Sequence, residues 1–244
     1  MKNHLPFLNV YGQKNIKSKI VTQLLYGETF KKLNQSKSWI KIRNDYDGYV
    51  GYIQNKKYPS NSKNTHKISV LYSNLYSKPS VKNKINKKLS FGSKIKVTDK
   101  KGIFYKFDKC WLKKKDLKKI SFKQKNIFKN ISMFENVKYK WGGKCFDGID
   151  CSGLIQLFFN FNNKFCPRDA KDQIKYFKKK TKLKNVKKGD LIFWKGHVAL
   201  AVSRTKLIHG YGPLKKVITM PIKSTIDRIH ETARLKVTGI KRVT

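Results

Sequence analysis

Tyr139-Lys140-Trp141-Gly142-Gly143-Lys144-Cys145-Phe146-Asp147-Gly148-Ile149-Asp150-Cys151-Ser152-Gly153-Leu154-Ile155-Gln156 changes character partway along. Up to Asp150 it is rich in Gly, Asp and Lys, which is loop chemistry. From Ser152 it turns apolar at helical spacing, with Leu154, Ile155, Leu157, Phe158 and Phe159. Cys151 sits at the join, with Asp150 or Ser152 as the N-cap. A thiol at a helix start feels the positive end of the macrodipole and nearby unpaired N–H groups, and both favour the thiolate. A nucleophilic cysteine is therefore expected. Position alone leaves open a small buried Cys packed beneath the helix.

Downstream residues bear on that choice. Cys166-Pro167-Arg168-Asp169-Ala170-Lys171-Asp172-Gln173 reads as a second helix start, continued by Ile174, Tyr176 and Phe177. Val186-Lys187-Lys188-Gly189-Asp190 is a turn, followed by the apolar strand Leu191-Ile192-Phe193-Trp194. Residues 197–202 and 206–211 form two further strands, and pairing them as a hairpin puts the turn near Ser203-Arg204. His197 then lies opposite a position close to His209, at the ~4.5–5.5 Å spacing of cross-strand neighbours. A helix-start thiol, a strand histidine and a second ring beside it have the nucleophile, base and orienter logic of a cysteine hydrolase. Asp172, Asp190 and His230 rank below His209 as the third member. A histidine satisfied by a backbone carbonyl is the plain alternative for either ring. The segment holding Ile127, Phe128, Ile131 and Phe134 is expected to be a helix leading into the Tyr139 loop. The tail, 229–243, should add a helical turn or strand. Helices first and antiparallel strands after make an α+β layout.

The upstream part has a different period. Short strands are expected from Ile16 to Leu24, from Phe30 to Leu33, at Trp39-Ile40-Lys41-Ile42-Arg43 and at Tyr49-Val50-Gly51-Tyr52-Ile53. Asp45-Tyr46-Asp47-Gly48 supplies a turn. Such spacing means a small β-barrel or sandwich. Tyr58-Pro59-Ser60-Asn61-Ser62-Lys63-Asn64 is a polar linker, after which the pattern recurs. Leu89-Ser90-Phe91-Gly92-Ser93 parallels Leu24-Leu25-Tyr26-Gly27-Glu28, and Lys115-Asp116-Leu117 resembles a closing single turn. Two diverged copies of one unit follow. His4 and His66 fall in this region as surface residues.

The 244 residues carry a formal net charge of +43, which first points to nucleic acid or a membrane surface. Arg occurs only at 43, 168, 204, 228, 234 and 242, so 51 of the 57 basic residues are Lys, spread from end to end. Readers of nucleic acid concentrate Arg where bidentate contacts are made, so no specific nucleic-acid partner is expected. No stretch approaches the ~20 apolar residues of a membrane span, and the N-terminus lacks the apolar run of a signal peptide. A cytoplasmic protein with reduced thiols is the expectation. The four cysteines form no CxxC pair. Zinc on Cys145, Cys151, His197 and His209 would depart from the tight paired spacings of structural sites, and neither metal nor cofactor is expected.

Tyr-x-Trp-Gly-Gly, then Asp150-Cys151-Ser152-Gly153-Leu154, Lys-Lys-Gly-Asp-Leu-Ile-Phe-Trp, Gly-His-Val-Ala-Leu and Leu-Ile-His together resemble the NlpC-type cysteine peptidases of bacterial cell-wall metabolism. Thr22-Gln23-Leu24-Leu25-Tyr26-Gly27-Glu28 and Asp47-Gly48-Tyr49-Val50-Gly51-Tyr52-Ile53 resemble the bacterial SH3-like domains of the γ-D-glutamyl-L-diamino acid endopeptidases (dipeptidyl-peptidase VI type). The resemblance implies a papain-like domain at 119–244 behind two SH3-like barrels at 1–58 and 65–118. It implies a triad of Cys151, His197 and His209, with Tyr139 at the oxyanion site. It implies a cleft lined by Asp150, Ser152 and Asp169, and Glu28 as the carboxylate that holds the free amine of an N-terminal L-Ala. Trp141 is a cleft wall or plain core, Tyr49 a ligand contact or barrel packing, and Glu28 otherwise a turn carboxylate. Ala170 stands where the family often has Ser, which removes one expected substrate hydrogen bond. The implied activity is hydrolysis of the γ-D-Glu–diamino acid bond in short free muropeptides. An endopeptidase on intact wall and a non-catalytic basic binding protein on the same fold are the alternatives.

Overall fold

Helix α1 (Cys151–Phe161) is buried along its whole length, polar residues included. A helix apolar on nearly every side must be wrapped on every side, and here the wrapping comes from three bodies. The computed structural model describes residues 1–60 and 63–243; Asn61 and Ser62 of the expected linker lie outside the described residues.

The first body holds β1 (Phe7–Tyr11), β2 (Ile20–Leu25), β3 (Phe30–Gln35), β4 (Trp39–Asn44) and β5 (Val50–Gln54). They form one antiparallel sheet in the order β2-β1-β5-β4-β3. Burial alternates along β4, with Ile40 and Ile42 inward on Leu24, Phe30 and Ile53, as a period-two pattern demands. The second body holds β6 (His66–Ile68), β7 (Tyr72–Tyr76), β8 (Lys84–Ser90), β9 (Lys94–Ile95), β10 (Asp99–Lys101), β11 (Phe104–Phe107), β12 (Cys110–Lys113) and β13 (Leu117–Lys119). Its sheets run β10-β11-β12-β7-β8 and β13-β6-β9. The barrel expectation needs correction: among the described residues neither body has a strand pair that closes its ladder into a ring. The expected terminal turn is a short 3₁₀ segment, Lys114–Asp116.

The third body packs α1 and α2 (Ala170–Tyr176) on one face of an antiparallel sheet. A two-strand ribbon, β14 (Lys144–Cys145) and β15 (Gly148–Ile149), precedes α1. The main sheet comprises β16 (Leu191–Trp194), β17 (His197–Ala201), β18 (Lys206–Tyr211), β19 (Lys216–Pro221) and β20 (Gly239–Lys241), in the order β19-β18-β17-β16-β20. Helix α3 (Ile222–Ala233) packs against β19. Its buried Ile222, Thr225 and Ile229 recur at helical spacing, a signal that begins earlier than the tail segment read from sequence. The helix expected around Ile127 to Phe134 is only a 3₁₀ turn, Ile131–Phe134. Ile127, Phe128, Ile131 and Phe134 are nonetheless buried. However, the Asn126 side chain accepts from the Phe128 N–H at 3.0 Å, the local competition that keeps Asn out of helix interiors.

The repeated turns explain how the bodies meet. Gly27 and Gly92 have φ of +81° and +82°, open to glycine without strain. A β-carbon at Gly27 would stand 1.8 Å from the Lys94 carbonyl oxygen, and one at Gly92 would stand 2.9 Å from a Leu157 methyl of α1. Leu25 and Phe91, from matching turns, both enter the third body's core. Buried Lys67 of the second body donates to the Phe161 and Phe122 carbonyls, placing a cation at the negative end of α1. Among the described residues no helix is long and apolar enough to cross a membrane.

Candidate active site

Asp150 is the N-cap of α1, its Oδ1 accepting from the Gly153 N–H at 2.6 Å. Its other oxygen accepts from the Gly142 N–H at 2.9 Å. Arg168 grips both oxygens, Nη1 to Oδ1 at 3.0 Å and Nη2 to Oδ2 at 2.6 Å. It also donates from Nε to Thr22 Oγ1 at 3.0 Å and from Nη1 to Ser152 Oγ at 3.1 Å. This bidentate pair is buried, and the guanidinium fork matches a carboxylate in a way a lysine cannot. Asp150 is therefore a brace for the helix start, with its acceptor capacity already used. In the amino-acid order Arg168 stands only within the helix start Cys166–Gln173, and nothing beside it announces the distant Asp150 and Thr22 that it binds.

Cys151 opens the helix with 6% of its surface exposed. Burial pushes its thiol up to about 12, and the Asp150 carboxylate adds to that; the N–H groups of Val198 and Ser152 and the Arg168 charge pull the other way. Desolvation and the neighbouring Asp150 anion thus work against the thiolate that the helix start favours.

The strand pair brings the two expected histidines together, although neither is among the described residues that line the cleft at Cys151. Pairing of Leu200 with Ile208 and Ala201 with Leu207 puts His197 opposite Tyr211, so His197 and His209 are diagonal neighbours on one face. Their rings meet, Nε2 of His197 lying 2.9 Å from Nδ1 of His209. Tyr211 stacks on His209 at 4.7 Å and 11°, holding its plane. Burial pushes His197 down to about 4 against the pull of Asp150, and burial, then His197, lowers His209 further. Both rings are neutral in this setting. β18 reaches the helix start because Gly210 has no side chain: a β-carbon there would stand 3.1 Å from the Cys151 nitrogen.

A cleft of about 330 Å³ opens over Cys151. Tyr139, Trp141, Asp150, Ser152, Asp169, Ala170 and Lys171 line it from the third body, and Lys19, Val21 and Tyr49 from the first. Trp141 is 62% exposed, hence a wall and not core. Tyr49 donates to Asp169 Oδ2 at 3.1 Å across the two bodies. Asp169 sits at the N-cap position of α2 without making a side-chain cap, and burial raises its carboxyl above the ordinary range. Tyr139 is half-buried near Cys151 and Asp150.

Glu28 does not join them. Lys144 Nζ lies 2.8 and 3.1 Å from its oxygens, and the Leu25 N–H and Asn160 Nδ2 donate to it at 2.9 Å each. Among the described residues it is absent from the Cys151 cleft. The amine-binding expectation for Glu28 is corrected: its charge is already neutralised, and it fastens the first body to α1. Asp190 is likewise held by Arg242 at 2.8 and 2.9 Å and is no third catalytic member. A larger cavity of about 650 Å³ lies among Ile103, Tyr105 and lysines of the second body and holds none of the expected site residues. Among the described residues no group of three or more His, Cys, Asp and Glu is arranged to hold a metal ion.

Residues 136–233 match the NlpC/P60 family, and residues 6–60 match the bacterial SH3 domain. It is similar to the Dipeptidyl-peptidase 6 of Lysinibacillus sphaericus, 24% identical over 237 residues with 82% of this chain and 83% of that protein covered. It is also similar to a probable endopeptidase of Haemophilus influenzae, 33% identical over 94 residues, which covers 32% of this chain and 58% of that protein. Its fold is that of an NlpC/P60 family protein from Bacillus cereus, with a TM-score of 0.82, 18% identity and 99% and 98% of the two chains covered.

Proposed function

We propose that the chain is a cysteine peptidase that hydrolyses the bond between γ-linked D-Glu and a diamino acid in short, free muropeptides of the L-Ala-γ-D-Glu-diaminopimelate kind. Peptidoglycan peptide recycling in the cytoplasm belongs to the same proposal. The observation that carries it is the cleft at Cys151, one wall of which comes from the first SH3-like unit through Lys19, Val21 and Tyr49. A wall at that place suits a short ligand with a defined end. The relationship to the Lysinibacillus Dipeptidyl-peptidase 6 over most of both chains supports it.

His197 commits Nε2 to His209, which leaves Nδ1 as its open nitrogen. With Nε2–H donated to His209, the Nδ1 lone pair takes the thiol proton as Sγ attacks the scissile carbonyl carbon. The Cys151 N–H and the Tyr139 hydroxyl hold the oxyanion. His197 then returns the proton to the departing amine, leaving a thioester. Water attacks the thioester, His197 accepts its proton, and the acid leaves as Sγ recovers the hydrogen. The free L-Ala ammonium meets Asp169, the cleft carboxylate that Tyr49 positions and Arg168 does not occupy. An N-acylated stem lacks that charge and leaves the carboxylate unpaired.

Mass spectrometry of products from the free tripeptide and its N-acetyl twin tests this. The expected products are L-Ala-γ-D-Glu and free diamino acid, with the N-acetyl twin slower by roughly 10–100-fold, the worth of one hydrogen-bonded charge. Cleavage of intact wall stems with no cleavage of the free tripeptide would overturn it in favour of a wall endopeptidase.

A further inference from the structure

The cleft holds two ammonium groups that the reaction above does not use. Lys19 enters from the first SH3-like unit, and Lys171 from the first turn of α2, two residues beyond Asp169. Both are exposed. Among the described residues neither ammonium has a hydrogen-bond or ion-pair partner, although the Lys171 charge lowers the Asp169 carboxyl against the effect of burial. Ala170, between Asp169 and Lys171 in the chain and also lining the cleft, is 6% exposed and has no polar side-chain atom. The cleft therefore carries both signs of charge: the Asp169 carboxylate, which Tyr49 holds, and the Lys19 and Lys171 ammonium groups, with the apolar Ala170 among them. Asp150 adds no free anion, because Arg168 and two backbone N–H groups occupy it.

A ligand complementary to this pattern is a zwitterion, with an ammonium at one end and a carboxylate a few bonds away beside the scissile carbonyl. A γ-linked glutamyl residue has that shape, because linkage through the side chain leaves its α-carboxylate free. A hydroxyl at position 170 would accept or donate to either a carboxylate or a carboxamide. Ammonium groups donate only and attract charge, so they separate the two. We propose that Lys19 and Lys171 form a receptor for the α-carboxylate of the γ-linked residue, making the cleft selective for the carboxylate over the α-carboxamide form of the same peptide. This rests on the peptidase reading of the same site.

The test uses the full chain and two substrates, L-Ala-γ-D-Glu-diaminopimelate and its α-carboxamide twin, at low ionic strength. The wild type should favour the carboxylate by roughly 10-fold or more in kcat/KM, the size of one charge-assisted hydrogen bond. Lys19→Gln/Lys171→Gln should erase that preference by raising KM for the carboxylate with kcat held, the mark of lost uniform binding. KM for the carboxamide should not move, and Lys19→Arg/Lys171→Arg should restore the preference. Added salt should weaken it in the wild type, because exposed charges are screened. Equal wild-type rates on both twins, or a preference that survives the double Gln variant, would overturn the receptor while leaving the peptidase standing. A wild type that cleaves neither twin overturns the free-muropeptide reading on which the receptor rests.

Discussion

Replacing Arg168 with Met removes a charge of similar bulk from the point where the first SH3-like unit, the Gly142 loop and α1 meet. In the intact protein the guanidinium is 1% exposed and the Asp150 side chain 9%. The substitution deletes two charge-assisted bonds to Asp150 and the bond to Thr22. Asp150 keeps the Gly142 and Gly153 N–H groups, but its charge is left without a counter-ion. Removing one member of a buried pair costs about 3–5 kcal/mol. At about 2–4 °C per kcal/mol for a chain of this size, Tm should fall by roughly 6–20 °C. Activity should fall as well, because the Arg168 charge eases ionisation of Cys151. Thermal unfolding followed by circular dichroism reads the first effect, and tripeptide hydrolysis the second. The double variant Asp150→Asn/Arg168→Met should recover much of the stability, since no bare charge remains. A single variant within about 1 kcal/mol of wild type would refute the assignment of this pair as the brace of the helix start.

Glu28→Gln should likewise destabilise by about 3–5 kcal/mol by stranding Lys144, and Glu28→Gln/Lys144→Met should recover much of it; urea unfolding checks both, and tripeptide KM should change far less than in Asp169→Asn. Acid should act through His197. Its folded value near 4 lies below the ordinary 6.5, so between those values the unfolded chain binds more protons and stability falls as pH falls through the window. The loss from this ring alone is roughly 3 kcal/mol, measurable as Tm against pH, and the acid limb of kcat/KM should lie near pH 4–5 and not at 6–7.

Much of this could be read in the amino-acid order because the signals were local. The loop-to-apolar switch at Asp150-Cys151 marks the start of α1, and the strand at Leu191–Trp194 is found as expected. The hairpin brings His197 and His209 together, although two positions off direct opposition. Effects that depend on distant neighbours were not legible. Nothing near Glu28 in sequence announces Lys144, and nothing near Cys151 announces how deeply it is buried. The apolar spacing around Ile127 reports burial correctly but not helix, because Asn126 binds its own backbone. Arg168 was hidden for the same reason, its partners being an N-cap and a threonine from another unit.

Release of free diamino acid from the tripeptide, compared between wild type and Cys151→Ala at equal concentration, bears most directly on the central claim that this sulfur is the nucleophile. The account predicts a loss of roughly 10³-fold or more in kcat with the fold intact. An alanine variant that turns over at the wild-type rate would contradict it.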